Sequence, residues 1–356
     1  MMVSGGGAYA RIKVAQRNNV FALEQLSLWL FRGVFFMLWE ECCMTEKIVI
    51  LGAGHVGSHC AYALASCGVG REIVLVDIVP EKAAAQALDI ADSLSFASHA
   101  AAVRSGSHAD CADADLVVVA IGEPRQPGQT RLDLLDRSVA LLDVLLAQLR
   151  PYAISCPVVT ITNPADIVAD YVRRALNLDR AQCFSTGTLL DTARLTRILS
   201  EMTGVSPSNI SAFSLGEHGD SSTAAFSAVT IGGLPFDCFG LDRTAILRGV
   251  HERGMDIVCG KGSTEFGIGR ALCALAQCIL RDEKRVLPVS ALLCGEYGQS
   301  GLHCGVPCLI GRGGVEQVIQ LKLSPLEQEQ LNRSCGIIKA HIARAEQVHA
   351  GNMHPM

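Results

Sequence analysis

The sequence predicts an α/β fold in two parts, the first built on a parallel sheet. Three observations predict it. A strand–turn–helix–strand unit with a glycine-rich turn fills residues 47–77. Apolar runs then alternate with helix-period segments to about residue 186. Beyond that point the alternation gives way to longer helices and a strand pair. At 356 residues the chain is long enough to bury a large core, in one big domain or two.

The first unit opens with Ile48-Val49-Ile50-Leu51, an apolar and largely β-branched strand run. Gly52-Ala53-Gly54-His55-Val56-Gly57 follows with G-x-G-x-x-G spacing, then a small-residue helix over Ser58–Ser66. A second apolar run, Ile73–Val76, ends at Asp77, twenty residues past Gly57. Each part has a physical task. Gly52 permits the sharp turn, Gly54 lets the backbone approach a pyrophosphate, and Gly57 lets the helix pack close to the strand. The helix N-terminus offers free N–H groups to phosphates. Asp77 can accept hydrogen bonds from an adenosine ribose and would repel a 2′-phosphate. The expected cofactor is therefore NAD rather than NADP.

The remaining elements follow in order. Residues 80–95 are alanine-rich with Ala84, Leu88, Ala91 and Leu94 at helical spacing. Residues 115–121 form a buried strand that stops at Gly122, a further expected cofactor contact. Residues 122–130 hold two prolines and two glycines and suit a mobile lid; residues 131–150 form a long leucine-rich helix. Residues 157–162 form another buried strand, which runs into Asn163-Pro164 at the sheet edge where ligands bind. Past 185, helices are predicted at 188–202, 242–258 and 267–277, with a Thr/Val/Ala-rich stretch at 222–231. A strand pair near 286–294 and 306–310 precedes a final helix over 323–348, opening at Ser324-Pro325.

Composition narrows the partners. Hydrophobic residues make up 49% and charged residues 18%, with a net charge of −5 and no lysine or arginine block. Nucleic acid is not an expected partner. None of the fifteen cysteines forms C-x-x-C, so no metal site is expected, and free thiols point to a reducing cytoplasm. Residues 1–43 differ from the rest. Val20–Trp39 is apolar but broken by Glu24 and Arg32, short of a membrane span, and no signal-peptide cleavage site follows it. Codons for Trp39-Glu40-Glu41 can spell a ribosome-binding sequence just ahead of Met44. Residues 1–43 are therefore expected to be a translated leader and Met44 the natural start; the other reading is a surface amphipathic helix.

Several polar residues can carry chemistry together. His218 sits between Gly216-Glu217 and Gly219-Asp220; Asp191 and Arg194 are three apart on one predicted helix; Arg131 follows the lid. Taken singly, each also reads as a structural histidine, a surface ion pair or a solvated cation. Hydride transfer between a 2-hydroxy acid and nicotinamide needs a base near neutral pH, which suits His218. It needs a carboxylate to orient the imidazolium, as Asp191 can, and a guanidinium to clamp the substrate carboxylate, as Arg194 can. Arg131 can polarise the carbonyl, and Asn163 can donate to the same oxygen.

These residues stand in motifs that resemble the L-lactate/malate dehydrogenases. They are GAGHVG, GEPRQPGQTRLDL, TNPAD, GTLLDTARL, LGEHGDSS, KGSTEFGIG and GRGGVEQVIQLKLSPLEQEQL, and the resemblance covers about 47–348. It implies a Rossmann NAD-binding domain (44–186) followed by a mixed α/β catalytic domain (187–350), assembled as a homo-dimer or tetramer. It implies His218 as acid/base, Asp191 as its partner, Arg194 on the carboxylate, Arg131 on the lid and Asn163 as a substrate contact. Thr264 would form a pocket wall.

Substrate choice is divided. Arg125, six residues before Arg131, stands where lactate dehydrogenases of the family commonly have glutamine and malate dehydrogenases have arginine. GTLLDTAR and KGSTEFGIG resemble the lactate side. L-lactate dehydrogenase is the main expectation, with malate dehydrogenase and a broader 2-hydroxyacid enzyme as alternatives. A non-catalytic NAD sensor would be expected to lack one of His218, Asp191, Arg194 or Arg131, and all four are present. Family members activated by fructose 1,6-bisphosphate hold it with an arginine and a histidine at positions that are here Thr196 and Ser211. No activation is expected.

Overall fold

A computed structural model describes residues 46–122 and 131–353. The expected leader 1–43, the loop residues 123–130 with Arg125, and the side chain of Arg131 lie outside the described residues. From Glu46 onward the chain forms one compact unit.

In chain order the first part runs β1 (Lys47–Leu51), α1 (His55–Ser66), β2 (Glu72–Val76), α2 (Pro80–Ser93), β3 (Ala102–Ser105), β4 (Leu116–Val119), α3 (Arg131–Leu149), β5 (Val158–Thr160), α4 (Ala165–Ala175) and β6 (Cys183–Ser185). Its strands pair in parallel in the order β3-β2-β1-β4-β5-β6. β1 lies between β2 and β4 and is buried on both faces, which is why it reads as a continuous apolar run rather than an alternation. Ile48, Ile50, Ile73, Leu75, Leu116 and Val118 face one core layer, and Val49, Leu51, Val74, Val76, Val117 and Val119 face the other. The strand order reverses between β1 and β4, so the crevice for a ligand opens at their carboxyl ends.

The second part comprises α5 (Leu189–Thr203), β7 (Ile210–Ser211), β8 (Ser214–Leu215), β9 (Thr223–Ala224), β10 (Thr230–Ile231), β11 (Leu234–Pro235), α6 (Arg243–Lys261), α7 (Phe266–Leu280), β12 (Arg285–Cys294), β13 (Ser300–Gly311), β14 (Gly314–Val318) and α8 (Pro325–Met353). β12, β13 and β14 are antiparallel and extend the same sheet to nine strands, joined where Ser290 of β12 pairs with Ser185 of β6. The Thr/Val/Ala-rich stretch at 222–231 is not one strand. It is two short strands around a 3-10 turn, with Phe226, Val229, Ile231 and Phe236 buried against Leu195, Leu199 and Ile246. The cap expected at Ser324-Pro325 forms as a reciprocal pair. Ser324 N donates to Glu327 Oε2 at 2.8 Å, and Glu327 N donates to Ser324 Oγ at 3.4 Å.

β3, α4, β6 and β14 are not among the elements expected from the sequence. In α4 both Asp166 and Asp170 are buried; Asp166 accepts from the Ser290 hydroxyl, and Asp170 Oδ2 pairs with Arg174 at 2.8 Å while its Oδ1 has no hydrogen-bond partner among the described residues. Among the described residues no helix is long and apolar enough to cross a membrane, and no cluster of His, Cys, Asp or Glu is arranged to hold a metal ion.

Candidate active site

The glycine-rich turn leaves β1 and enters α1 with a different constraint at each glycine. Gly52 has φ +108°, and a Cβ there would meet Ala120 O at 2.7 Å. A Cβ on Gly57 would lie 1.8 Å from Gly52 O, so only glycine lets α1 approach the turn. Gly54 is open among the described residues, its nearest neighbour there being Lys82 Nζ at 4.0 Å, which leaves room for a phosphate. Gly54 is also the N-cap of α1 and no side chain caps that end, so first-turn N–H groups remain for an anion. Asp77 closes the far side: its Oδ2 accepts from Ala53 N at 2.7 Å and its Oδ1 from Val79 N at 3.0 Å. Each oxygen keeps a lone pair for a ribose hydroxyl. Gly122 follows β4; among the described residues, a Cβ built there would meet Thr162 Cγ2 at 3.8 Å, an ordinary contact. These residues fit an NAD molecule.

The second cluster is assembled from separate elements. α5 presents Asp191 and Arg194 on one face. The turn after β8 presents His218. His218 Nδ1 lies 2.7 Å from Asp191 Oδ2, and Arg194 Nη1 donates to Asp191 Oδ1 at 2.9 Å. A ring nitrogen facing a carboxylate must carry the proton, so Nδ1–H donates and Nε2 is left to exchange protons. The Asp191 side chain is 7% exposed and that of Arg194 14%, so this pair is not a solvated surface ion pair. Gly254 of α6 lies beneath the guanidinium; a Cβ there would come within 3.2 Å of Arg194 Nη1.

Charge sets the protonation states. The Asp191 carboxylate raises the His218 imidazole above its ordinary value, against desolvation. Burial pushes the Asp191 carboxyl up, but the imidazole and Arg194 outweigh it and hold the group below the usual carboxylate range. One residue of the cluster was not singled out from the sequence. Asp166, in the first turn of α4, accepts from His218 N at 2.9 Å and from the hydroxyl of Ser290. Its only sequence signal is an acid in TNPAD, just past the expected sheet edge.

The other expected residues are placed as follows. Asn163 lies past the end of β5 and is exposed; its backbone carbonyl accepts from Ser138 Oγ at 3.0 Å. Thr264 lies half-buried in the turn between α6 and α7, close to Gly267, which itself packs on Leu190 beside Asp191. Arg131 begins α3, directly after the loop residues that lie outside the described set.

A dinucleotide turn on a doubly wound sheet, with an imidazole–carboxylate–guanidinium cluster in the same unit, defines a dinucleotide-dependent oxidoreductase. Residues 46–185 match the family model for the lactate/malate dehydrogenase NAD binding domain, and residues 188–349 match the model for the lactate/malate dehydrogenase alpha/beta C-terminal domain. The chain belongs to the lactate/malate dehydrogenase family. It is 40% identical to an L-lactate dehydrogenase of Fusobacterium nucleatum, over 84% of this chain and 96% of that protein. Its fold is similar to the minor L-lactate dehydrogenase of Enterococcus mundtii in the ligands-bound form, with TM-score 0.81 and 34% identity over 84% of this chain and 98% of the other. A malate dehydrogenase of Cryptosporidium parvum is similar to the same degree in fold, with TM-score 0.81 and 29% identity over 85% of this chain and all (100%) of the other.

Proposed function

We propose that the chain interconverts pyruvate and L-lactate with NAD, working as a homo-oligomer in the cytoplasm. The His218–Asp191–Arg194 cluster carries the reading, and the identity to curated L-lactate dehydrogenases supports its substrate. Bound nicotinamide supplies the hydride for reduction and takes it up in oxidation. His218 gives a proton from Nε2 to the substrate oxygen in reduction and removes it in oxidation. Asp191 holds the ring in the tautomer that leaves Nε2 facing outward, and stabilises the imidazolium. Arg194 keeps one edge on Asp191 and offers its remaining N–H groups to the substrate carboxylate. Arg131 and Asn163 act on the carbonyl oxygen, and Thr264 lines the wall beside the third carbon. The division into a cofactor part (44–186) and a substrate part (187–350) follows the two halves of this site. Exposed Leu88 and Phe96 support a covered face in an oligomer, and the thirteen unpaired cysteines among the described residues support a reducing compartment.

A second reading, malate dehydrogenase, is favoured by one observation, the arginine at position 125, six residues before Arg131. Comparing kcat/KM for pyruvate and oxaloacetate on one preparation decides between the two. Pyruvate is expected to be preferred; a preference for oxaloacetate would transfer the assignment to malate.

A further inference from the structure

The turn carrying His218 is anchored by an acid that the proton transfer just described does not use. Asp166 is 1% exposed. Its Oδ2 accepts from the His218 backbone N–H at 2.9 Å, and its Oδ1 accepts from Ser290 Oγ. Among the described residues no lysine or arginine forms an ion pair with it. A carboxylate this deeply buried is expensive to keep charged unless hydrogen bonds and a nearby positive charge offset the desolvation. Two hydrogen bonds and the N-terminal end of α4 offset part of it. Among the described residues, the positive charge that acts on it is the protonated imidazole of His218.

We propose that Asp166 is a positioning residue for the acid/base. It holds the His218 backbone and adds a second negative charge, beside that of Asp191, that favours the protonated imidazole. The inference rests on the reading of His218 as the acid/base. Several packed elements bring groups to this pair. Glu217 belongs to the same turn, Ser290 to β12, Cys304 to β13 and Cys335 to α8, while Asp191 and Arg194 face the imidazole from α5. Burial pushes the Asp166 carboxyl up to about 6, against the hydrogen bonds from Ser290 and His218 and the charge of the imidazole. At neutral pH the carboxyl is therefore largely ionised, and it loses its charge as the solution becomes mildly acidic.

The consequence is directional. Reduction needs the imidazolium, which gives its Nε2 proton to the oxygen of the reacting carbonyl. Oxidation needs the neutral ring to accept that proton. Two carboxylates around one imidazole extend reduction to higher pH and confine oxidation to the alkaline side.

Asp166→Asn separates charge from position, because the amide keeps an oxygen for His218 N–H and an N–H group for the Ser290 hydroxyl. The test is the pH profile of kcat/KM for pyruvate reduction and for lactate oxidation in the intact enzyme. In D166N both limbs governed by His218 should move to lower pH by about one unit. A role limited to holding the turn would lower both profiles by one factor at every pH and leave the limbs in place, and that result would overturn the proposal. Ser290→Ala is the second variant. Removing a donor to the anion raises the Asp166 carboxyl further, so the same limbs should shift in the same direction by less. An unmoved profile in S290A overturns the proposal even if D166N does not fold. His218→Ala is run beside them: substantial activity in that variant would remove the acid/base reading itself, whereas an inactive H218A with unmoved limbs in D166N removes only the role of Asp166.

Discussion

The dinucleotide turn and the His218 cluster are built in opposite ways. Every group the turn needs lies within residues 47–77, and its glycines are fixed by contacts inside that stretch or with the neighbouring β4 end. The His218 cluster draws on α4, α5, the turn after β8 and the middle of β12, and its Asp166–Ser290 hydrogen bond spans 124 residues of sequence. A local site tolerates change elsewhere in the chain. An assembled site depends on the packing of every element that contributes to it. Binding of the cofactor and turnover of the substrate should therefore fail separately.

The largest expected effect tests that separation. His218→Ala should lower kcat by roughly 10²–10⁴-fold and leave the NADH Kd nearly unchanged, as read by steady-state kinetics and fluorescence titration. A variant that keeps more than about a tenth of the wild-type kcat would mean that the base lies elsewhere. Next comes the lid. Arg125→Gln should cost oxaloacetate on the order of 3–5 kcal/mol in kcat/KM and spare pyruvate, if Arg125 meets a second substrate carboxylate. Equal effects on the two substrates would show that it points away.

Asp77→Ala probes the local site. Loss of its hydrogen bonds to the ribose should cost about 1.5–3 kcal/mol, a tenfold to hundredfold rise in NADH Kd. Discrimination against NADPH should weaken as well. Because Asp77 also accepts from Ala53 N, the turn itself should loosen, which sharpens the contrast with His218→Ala. An unchanged NADH/NADPH preference would show that Asp77 does not reach the ribose. The smallest expected effect is none. Ser211 lies in β7 without charge, and Arg197, next to Thr196, is exposed and paired with Glu201 at 2.9 Å. Millimolar fructose 1,6-bisphosphate should leave the pyruvate saturation curve unaltered. A severalfold fall in KM would point to a cation not accounted for.

What was legible in the sequence follows the same division. The turn was readable residue by residue, since strand, glycine spacing, helix and acid are consecutive. That Asp191 and His218 belong together was readable, because a histidine framed by glycines and a helical acid–arginine pair have few joint explanations, and the two side chains do meet. Asp166 was not. In sequence it is a single acid after Asn163-Pro164, where a solvated carboxylate is the ordinary case. Nothing local reveals that β12 covers it. Ser290 is harder still: it sits among the apolar residues of Leu287–Leu293, where a buried serine reads as a minor break in a strand. The short strands at 210–235 were lost for a related reason. Their two-residue pairings are too brief to leave a period, and it is Phe226 and Phe236 that fix them in the core.

Ser290 has a consequence for how this molecule can be recombined. It is the residue through which β12 joins β6, and its hydroxyl also bonds Asp166. A chimera that kept residues up to 186 and took the remainder from a relative would preserve the cofactor turn intact. It would also pair this chain's Asp166 with whatever stood at the Ser290 position of the donor. The backbone pairing would survive almost any side chain there; the carboxylate would not find its hydroxyl unless the donor carried one. The two halves, separable on paper at residue 186, are thus not interchangeable modules, and a graft must carry Asp166 and Ser290 together as one inherited unit.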